Sequence, residues 1–154
     1  MHAIGLLIAL ALLLTNCGAA PPPQPVAQPR PDPAKEQWYG PAASELAAIN
    51  RDAEKLLDQG KFVEAAAAVK KGQPLQARLL SAPEPTLEAM ESSADLDDLY
   101  GRLLMRNKQY GWARQVFQKN VIRWKTWKPQ TTESARRLKI AASAVAECDR
   151  LMTE

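Results

Sequence analysis

The sequence predicts an all-α protein of about five helices arranged as helical hairpins, and three observations carry that expectation. Downstream of residue 40, apolar residues recur at steps of three and four, the spacing of one face of a helix. No β-rich run interrupts them. Glycine is almost absent from the interiors of the periodic segments, so the residue that most weakens a helix short of proline is missing where it would matter. Of 154 residues, an apolar leader and a Pro-rich segment leave about 115 for folding, which suits one small domain with one core.

The chain opens with MHAIGLLIALALLLTNC. Its apolar run from Ala3 to Leu14 falls short of the ~20 residues that cross a bilayer core but has the length of a signal-peptide h-region, so export is expected. Leu14-Thr15-Asn16-Cys17 resembles the lipobox of bacterial lipoproteins, in which an aliphatic residue and two small residues precede a cysteine that is lipidated and becomes residue one. Asn16 stands where that family usually has Gly, Ala or Ser, and the n-region carries only the amino terminus and His2. Ordinary cleavage near Gly18-Ala19-Ala20 is the alternative, with Pro21 directly behind the site. The resemblance implies palmitate-type lipid attachment at Cys17. With Gly18 following instead of Asp, it also implies an outer-membrane anchor facing the periplasm.

Residues 18–40 form the second segment, with seven of the chain's twelve prolines between Pro21 and Pro33. Proline supplies no donor and fixes φ, so the run is expected to be an extended or disordered linker rising ~3.1 Å per residue where it adopts polyproline II. Trp38 and Tyr39 end it and are expected at the domain edge or at a docking site.

The helical domain is expected over residues 41–154. Leu46, Ile49, Ala53, Leu56 and Leu57 predict a first helix over 42–58, broken at Gly60. Phe62, Ala65, Ala66 and Val69 predict a second, stopping near Gly72 because Pro74 removes a donor and clashes with the preceding turn. Ser92 or Ser93 is the expected cap of a third helix bearing Leu96, Leu99, Tyr100, Leu103 and Leu104. Ala113, Val116, Phe117, Val121 and Trp124 face inward on a fourth, from Tyr110 to about Trp127, which Pro129 ends. Thr131 or Thr132 caps a fifth whose stripe is Leu138, Ala142, Val145, Cys148 and Met152.

The two hairpins resemble tetratricopeptide repeats, whose signature sets a small residue and a large apolar one on the first helix and an Ala-x3-Phe pair on the second. Gly101, Leu104, Tyr110, Ala113 and Phe117 take those places in the second hairpin. Ala53, Leu56, Phe62, Ala65 and Val69 take them in the first. Ala65 and Ala113 lie 48 apart rather than one 34-residue period, so about fourteen residues are inserted. An irregular helical bundle is the alternative architecture. The resemblance implies a scaffold that binds protein.

Chemistry is narrowed by what the sequence lacks. His2 is the only histidine and leaves with the leader, which removes the commonest general base and metal ligand. Gly-rich phosphate loop, G-x-S-x-G, S-x-x-K and C-x-x-C are all missing. No enzymatic activity, catalytic residue, metal or cofactor is therefore expected. Cys148 lies on an apolar helix face and reads as a small buried hydrophobe.

Charge is divided along the chain. From Leu99 to Lys139 eleven Lys or Arg residues face one acid, Glu133; from Ala34 to Asp98 seven basic residues face twelve acidic ones. Glu84, Glu88, Glu91, Asp95 and Asp98 fall four, three, four and three apart, as an acidic stripe would, and are expected to be solvated or to complement the basic half. In the basic half, Lys119, Arg123, Lys125, Trp127 and Lys128 form the candidate partner-binding surface, with solvation of outer helix faces as the competing account. The expected protein is an exported adaptor that is held to the membrane by its N-terminal lipid and binds an envelope protein. Its alternative is a structural protein holding an anionic cell-wall or lipid polymer through that basic, Trp-containing face. In an exported chain, nucleic acid is not expected.

Metabolic labelling with palmitate should mark the wild type and spare Cys17→Ser. A soluble, unlabelled product beginning near Ala20 would contradict lipidation.

Overall fold

The computed structural model describes residues 31–154. The leader, Cys17 and most of the Pro-rich linker lie outside the described residues. Among the described residues the protein is all-α: a 3-10 turn at Pro33–Lys35, then α1 (Tyr39–Asp58), α2 (Phe62–Leu79), α3 (Leu87–Arg106), α4 (Tyr110–Thr126) and α5 (Thr132–Met152). None of these helices is long and apolar enough to cross a membrane. Each helix packs on the next, and α3 also lies against α1.

The folded unit begins at Pro31, before the expected boundary at residue 41. Tyr39 is the reason. Its ring is buried, and its hydroxyl donates to the Leu79 carbonyl at 2.8 Å. That carbonyl belongs to the last turn of α2, past the helical ladder, where its other donor is the Ala82 N–H at 3.4 Å. Beside it the Arg78 guanidinium lies 3.6 Å from the centre of the Trp38 ring. Pro41 is harmless because it falls in the first turn of α1, whose N–H groups have no helical acceptor.

The same clasp explains why α2 does not stop at Gly72. It continues through Pro74 to Leu79. Pro74 is exposed, so the carbonyl it frees can meet water, while Leu79 beyond it is fully buried. Gly72 itself is an inward packing position. A Cβ there would come within 2.9 Å of Leu96 and 3.1 Å of Leu46.

α3 starts at Leu87, capped by Thr86, whose hydroxyl accepts from the Ala89 N–H at 3.3 Å. Ser92 and Ser93 are not caps but lie inside the helix and are buried, as is Ala94. Three neighbouring helices converge on these small residues. Asn50 of α1 donates to the Ser92 carbonyl at 2.7 Å, Gln76 of α2 to Ser93 at 2.9 Å, and Asn120 of α4 to Ala94 at 2.8 Å. Each amide uses the second lone pair of a carbonyl already in the helix ladder.

On one side of α3, Leu46, Val69, Leu79, Leu96 and Leu99 build a core with α1 and α2; on the other, Leu104, Ala113, Val116, Phe117 and Cys148 build a core with α4 and α5. The two hairpin turns match. Gly60 has φ 73 and Lys108 has φ 58, and each is followed two residues on by an aromatic ring, Phe62 or Tyr110. Arg106 lays its guanidinium 3.4 Å from the centre of the Phe62 ring, linking the first turn to the end of α3.

Four inward assignments shift. Ala66 and Tyr100 are exposed, and on α5 the inward row passes through Ser134, Ala141 and Cys148, leaving Ala142 and Met152 outside. Ser134 is turned inward by the capping box it forms with Thr131. A polar first turn thus fixes the rotation of the helix.

Gly101 of α3 lies against the Phe117 ring of α4: a Cβ added there would stand 2.5 Å from that ring. Gly101→Ala should cost ~1 to 3 kcal/mol by overpacking, and Phe117→Ala ~3 to 5 kcal/mol by leaving a cavity. In chemical denaturation the first penalty should shrink in a Phe117→Leu background. If it is unchanged there, the clash is not with that ring.

Candidate binding surfaces

The eleven basic residues between Leu99 and Lys139 divide by type. All six arginines are engaged within the chain. Arg102 binds Glu54 with both terminal nitrogens and lies 3.0 Å from Asp98; Arg106 stacks on Phe62; Arg114 binds Asp149 at 2.6 Å. Arg123 binds Asp97 at 2.9 Å and also donates to Asn120. Arg136 pairs with Glu133 at 2.6 Å. Arg137 is shared by Asp95 at 2.7 Å, Glu133 at 2.8 Å and Glu91 at 3.8 Å. The five lysines, Lys108, Lys119, Lys125, Lys128 and Lys139, are exposed and make no ion pair among the described residues. The planar guanidinium suits fixed, two-pronged pairing with carboxylates, whereas the ammonium is a hydrated point charge on a mobile stem.

This division sorts the expected surface. Lys119, Lys125 and Lys128 are exposed. Arg123 is not on that surface: its side chain is 9% exposed and Asp97's is 8%, so the pair is internal. Trp127 is half-buried where α4 ends. Trp112 and Ile122, which hydropathy would send inward, are instead 64% and 56% exposed. They flank Lys119 on the side of α4 opposite Phe117. The sequence does hold a signal for this, since Trp112 and Ile122 fall out of step with Ala113, Phe117 and Trp124.

On the other side of α4 a polar furrow crosses α1, α3 and α5. One cavity of about 210 Å³ is lined by Asp95, Asp98, Asn120, Trp124, Arg137 and Ile140. A second of about 230 Å³ is lined by Asn50, Arg51, Glu54, Asp95, Asp98 and Leu99. They share Asp95 and Asp98, so the furrow is continuous. The acidic stripe reaches it at Asp95 and Asp98, with Glu88 and Glu91 further back on α3 and Glu84 in the preceding turn. It complements the basic half of the same chain.

Burial pushes the Asp98 carboxyl above its ordinary range against the pull of Arg102, with Glu54 and Asp95 adding to the rise. Glu133, by contrast, is held down to about 2 by its hydrogen bond from Arg136, with Arg137 adding to the effect. Arg137 also stands 5.3 Å from the Trp124 ring centre, closing the furrow floor. At the other end the buried Asn50 Oδ1 has no hydrogen-bond donor among the described residues. Among the described residues no group of three His, Cys, Asp or Glu is placed to hold a metal. The Cys148 thiol is buried against the Met105 sulfur, 3.2 Å away, and burial, with Asp149 and Glu147 beside it, pushes its pKa up.

No protein-family model matches the chain, nor does any curated protein or solved structure.

Arg123→Gln should destabilise by ~3 to 5 kcal/mol, because it leaves Asp97 buried without its counter-charge. Lys119→Gln and Lys128→Gln should each change stability by less than ~0.5 kcal/mol. Thermal or denaturant midpoints of the three single variants check the contrast.

Proposed function

We propose that the protein is an exported, lipid-anchored adaptor whose helical-hairpin domain binds an envelope protein partner along the furrow across α1, α3 and α5. One observation carries the reading. The furrow presents charges of both signs that are already held in place, the carboxylates Glu54 and Asp98 by Arg102 behind them, and the Arg137 guanidinium by Asp95, Glu91 and Glu133. A partner meeting fixed groups need not pay to order them, and its register is set by where the charges stand. Asn50 adds to this, because a buried acceptor without a partner costs ~1 to 3 kcal/mol that an incoming N–H donor can return.

Action by binding rather than catalysis fits the groups present. A buried thiol with a raised pKa is a poor nucleophile, and after loss of His2 no imidazole serves as base. The tetratricopeptide-like reading is supported by the paired turns at Gly60 and Lys108, which stand 48 residues apart like Ala65 and Ala113. The lipid anchor rests on the Leu14-Thr15-Asn16-Cys17 pattern, and with it the outer-membrane, periplasm-facing location.

A photo-crosslinking residue placed at Arg51 or at Ile140, at the two ends of the furrow, should capture the same partner in vivo. One placed at Val63, 82% exposed on α2, should not. Capture from Val63 alone, or from none of the three, overturns the assignment of the furrow.

A further inference from the structure

The outer face of α4 is unexplained by the furrow. Trp112, Gln115, Lys119, Ile122 and Thr126 fall on the side of the helix opposite the buried Phe117, with Lys125 at the margin. All six are exposed, Trp112 by 64% and Ile122 by 56%. Neither lysine has an ion pair among the described residues, and no acidic residue occurs in the sequence between Asp98 and Glu133. The helix thus sets two large apolar side chains beside ammonium groups that have no ion pair among the described residues.

We propose that this face rests on an anionic phospholipid surface. Three features favour that occupant over an acidic protein. A strip running along the outside of a single helix lies well against a plane. The six arginines of the basic half, which read carboxylates two-pronged, are engaged elsewhere, and the cations left on this face are lysines, suited to a diffuse field of headgroups. Tryptophan and isoleucine beside lysine is the composition of a helix lying in the interface, rings and aliphatic chains at the headgroup level and ammonium groups toward phosphates. Each lysine near such a surface contributes about a fivefold factor in partitioning.

The placement also has an orientational consequence. Asn120 and Trp124, on the inner side of α4, floor the furrow. With the outer side down on lipid, the furrow faces away from the membrane. This inference stands on α4's exposed face and does not require the furrow to be the partner site.

The full chain, reconstituted into neutral phosphatidylcholine vesicles and into vesicles with about a third phosphatidylglycerol, tests the proposal, with bromine-labelled acyl chains as quenchers of tryptophan emission. Quenching should be strong only in the anionic vesicles, should fall in Trp112→Phe, and should disappear in Lys119→Glu/Lys125→Glu, whose circular dichroism and melting should match the wild type. Raising the salt should weaken it. Equal quenching in both vesicle types, quenching insensitive to the double charge reversal, or failure to float with the anionic vesicles would overturn the proposal. Loss of crosslinking from Arg51 and Ile140 with quenching intact would instead remove the furrow reading alone.

Discussion

The fold depends on how closely other helices can approach three consecutive small residues of α3. Ser92, Ser93 and Ala94 present so little side chain that amides from α1, α2 and α4 reach the backbone carbonyls between them. Each of these bonds is individually modest, about 1 kcal/mol net. Their importance is geometrical. Fixing one amide on each of three successive carbonyls sets the rotation and axial position of α1, α2 and α4 relative to α3. The apolar layers on either side of α3 are then packed around that arrangement. Gly72 and Gly101 extend the same rule, one admitting leucines and the other a phenylalanine ring.

Once α3 is fixed, electrostatics follows from it. Its acidic stripe meets Arg102 on its own next turn and Arg137 on α5, and Asp97 on another side meets Arg123 of α4. A chain whose two halves carry opposite charge therefore neutralises much of that charge on folding. Among the described residues, the positive charge of the basic half that keeps no carboxylate partner is that of the five lysines and of Arg106, which is stacked on Phe62. The internal Arg123–Asp97 pair is held by more than Coulomb attraction, since Asn120 both accepts from Arg123 and donates to α3. Such a pair is costly to break and gives α4 one rotation rather than several.

The two sides of α4 consequently do different things. Its inner side closes a furrow of preset charges, and its outer side carries the apolar and cationic groups that the fold leaves over. In the proposed adaptor, the first would hold a protein partner and the second would hold the domain down on lipid. An anchor at Cys17 would bring both to the same surface at high local concentration.

The all-α class, the existence of five helices and most of their inward faces were legible in the sequence, because the helical period of apolar residues is a local property and survives any tertiary arrangement. The repeat-like pattern placed a small residue, Gly101, on α3 and a large ring, Phe117, on α4, but that the two meet was decided by the tertiary structure. The candidate surface was legible only in part: the charge excess was visible and so were Lys119, Lys125 and Lys128, but not which cations stay free. Arg123 looks like its lysine neighbours in the chain and is removed from the surface only because Asp97 and Asn120 arrive beside it from α3 and from the preceding turn. Likewise Pro74 reads locally as a stop, and Tyr39, thirty-five residues before it, reads as linker. Tertiary structure joins Tyr39 to Leu79 beyond the proline, and burial of a ring and a leucine outweighs one lost helical hydrogen bond. Period and propensity, being local, were determined by the sequence alone; helix ends, the inward turn of α5 and the pairing of charges were decided by contacts between residues far apart in the chain, whose energies exceed the local preferences they override.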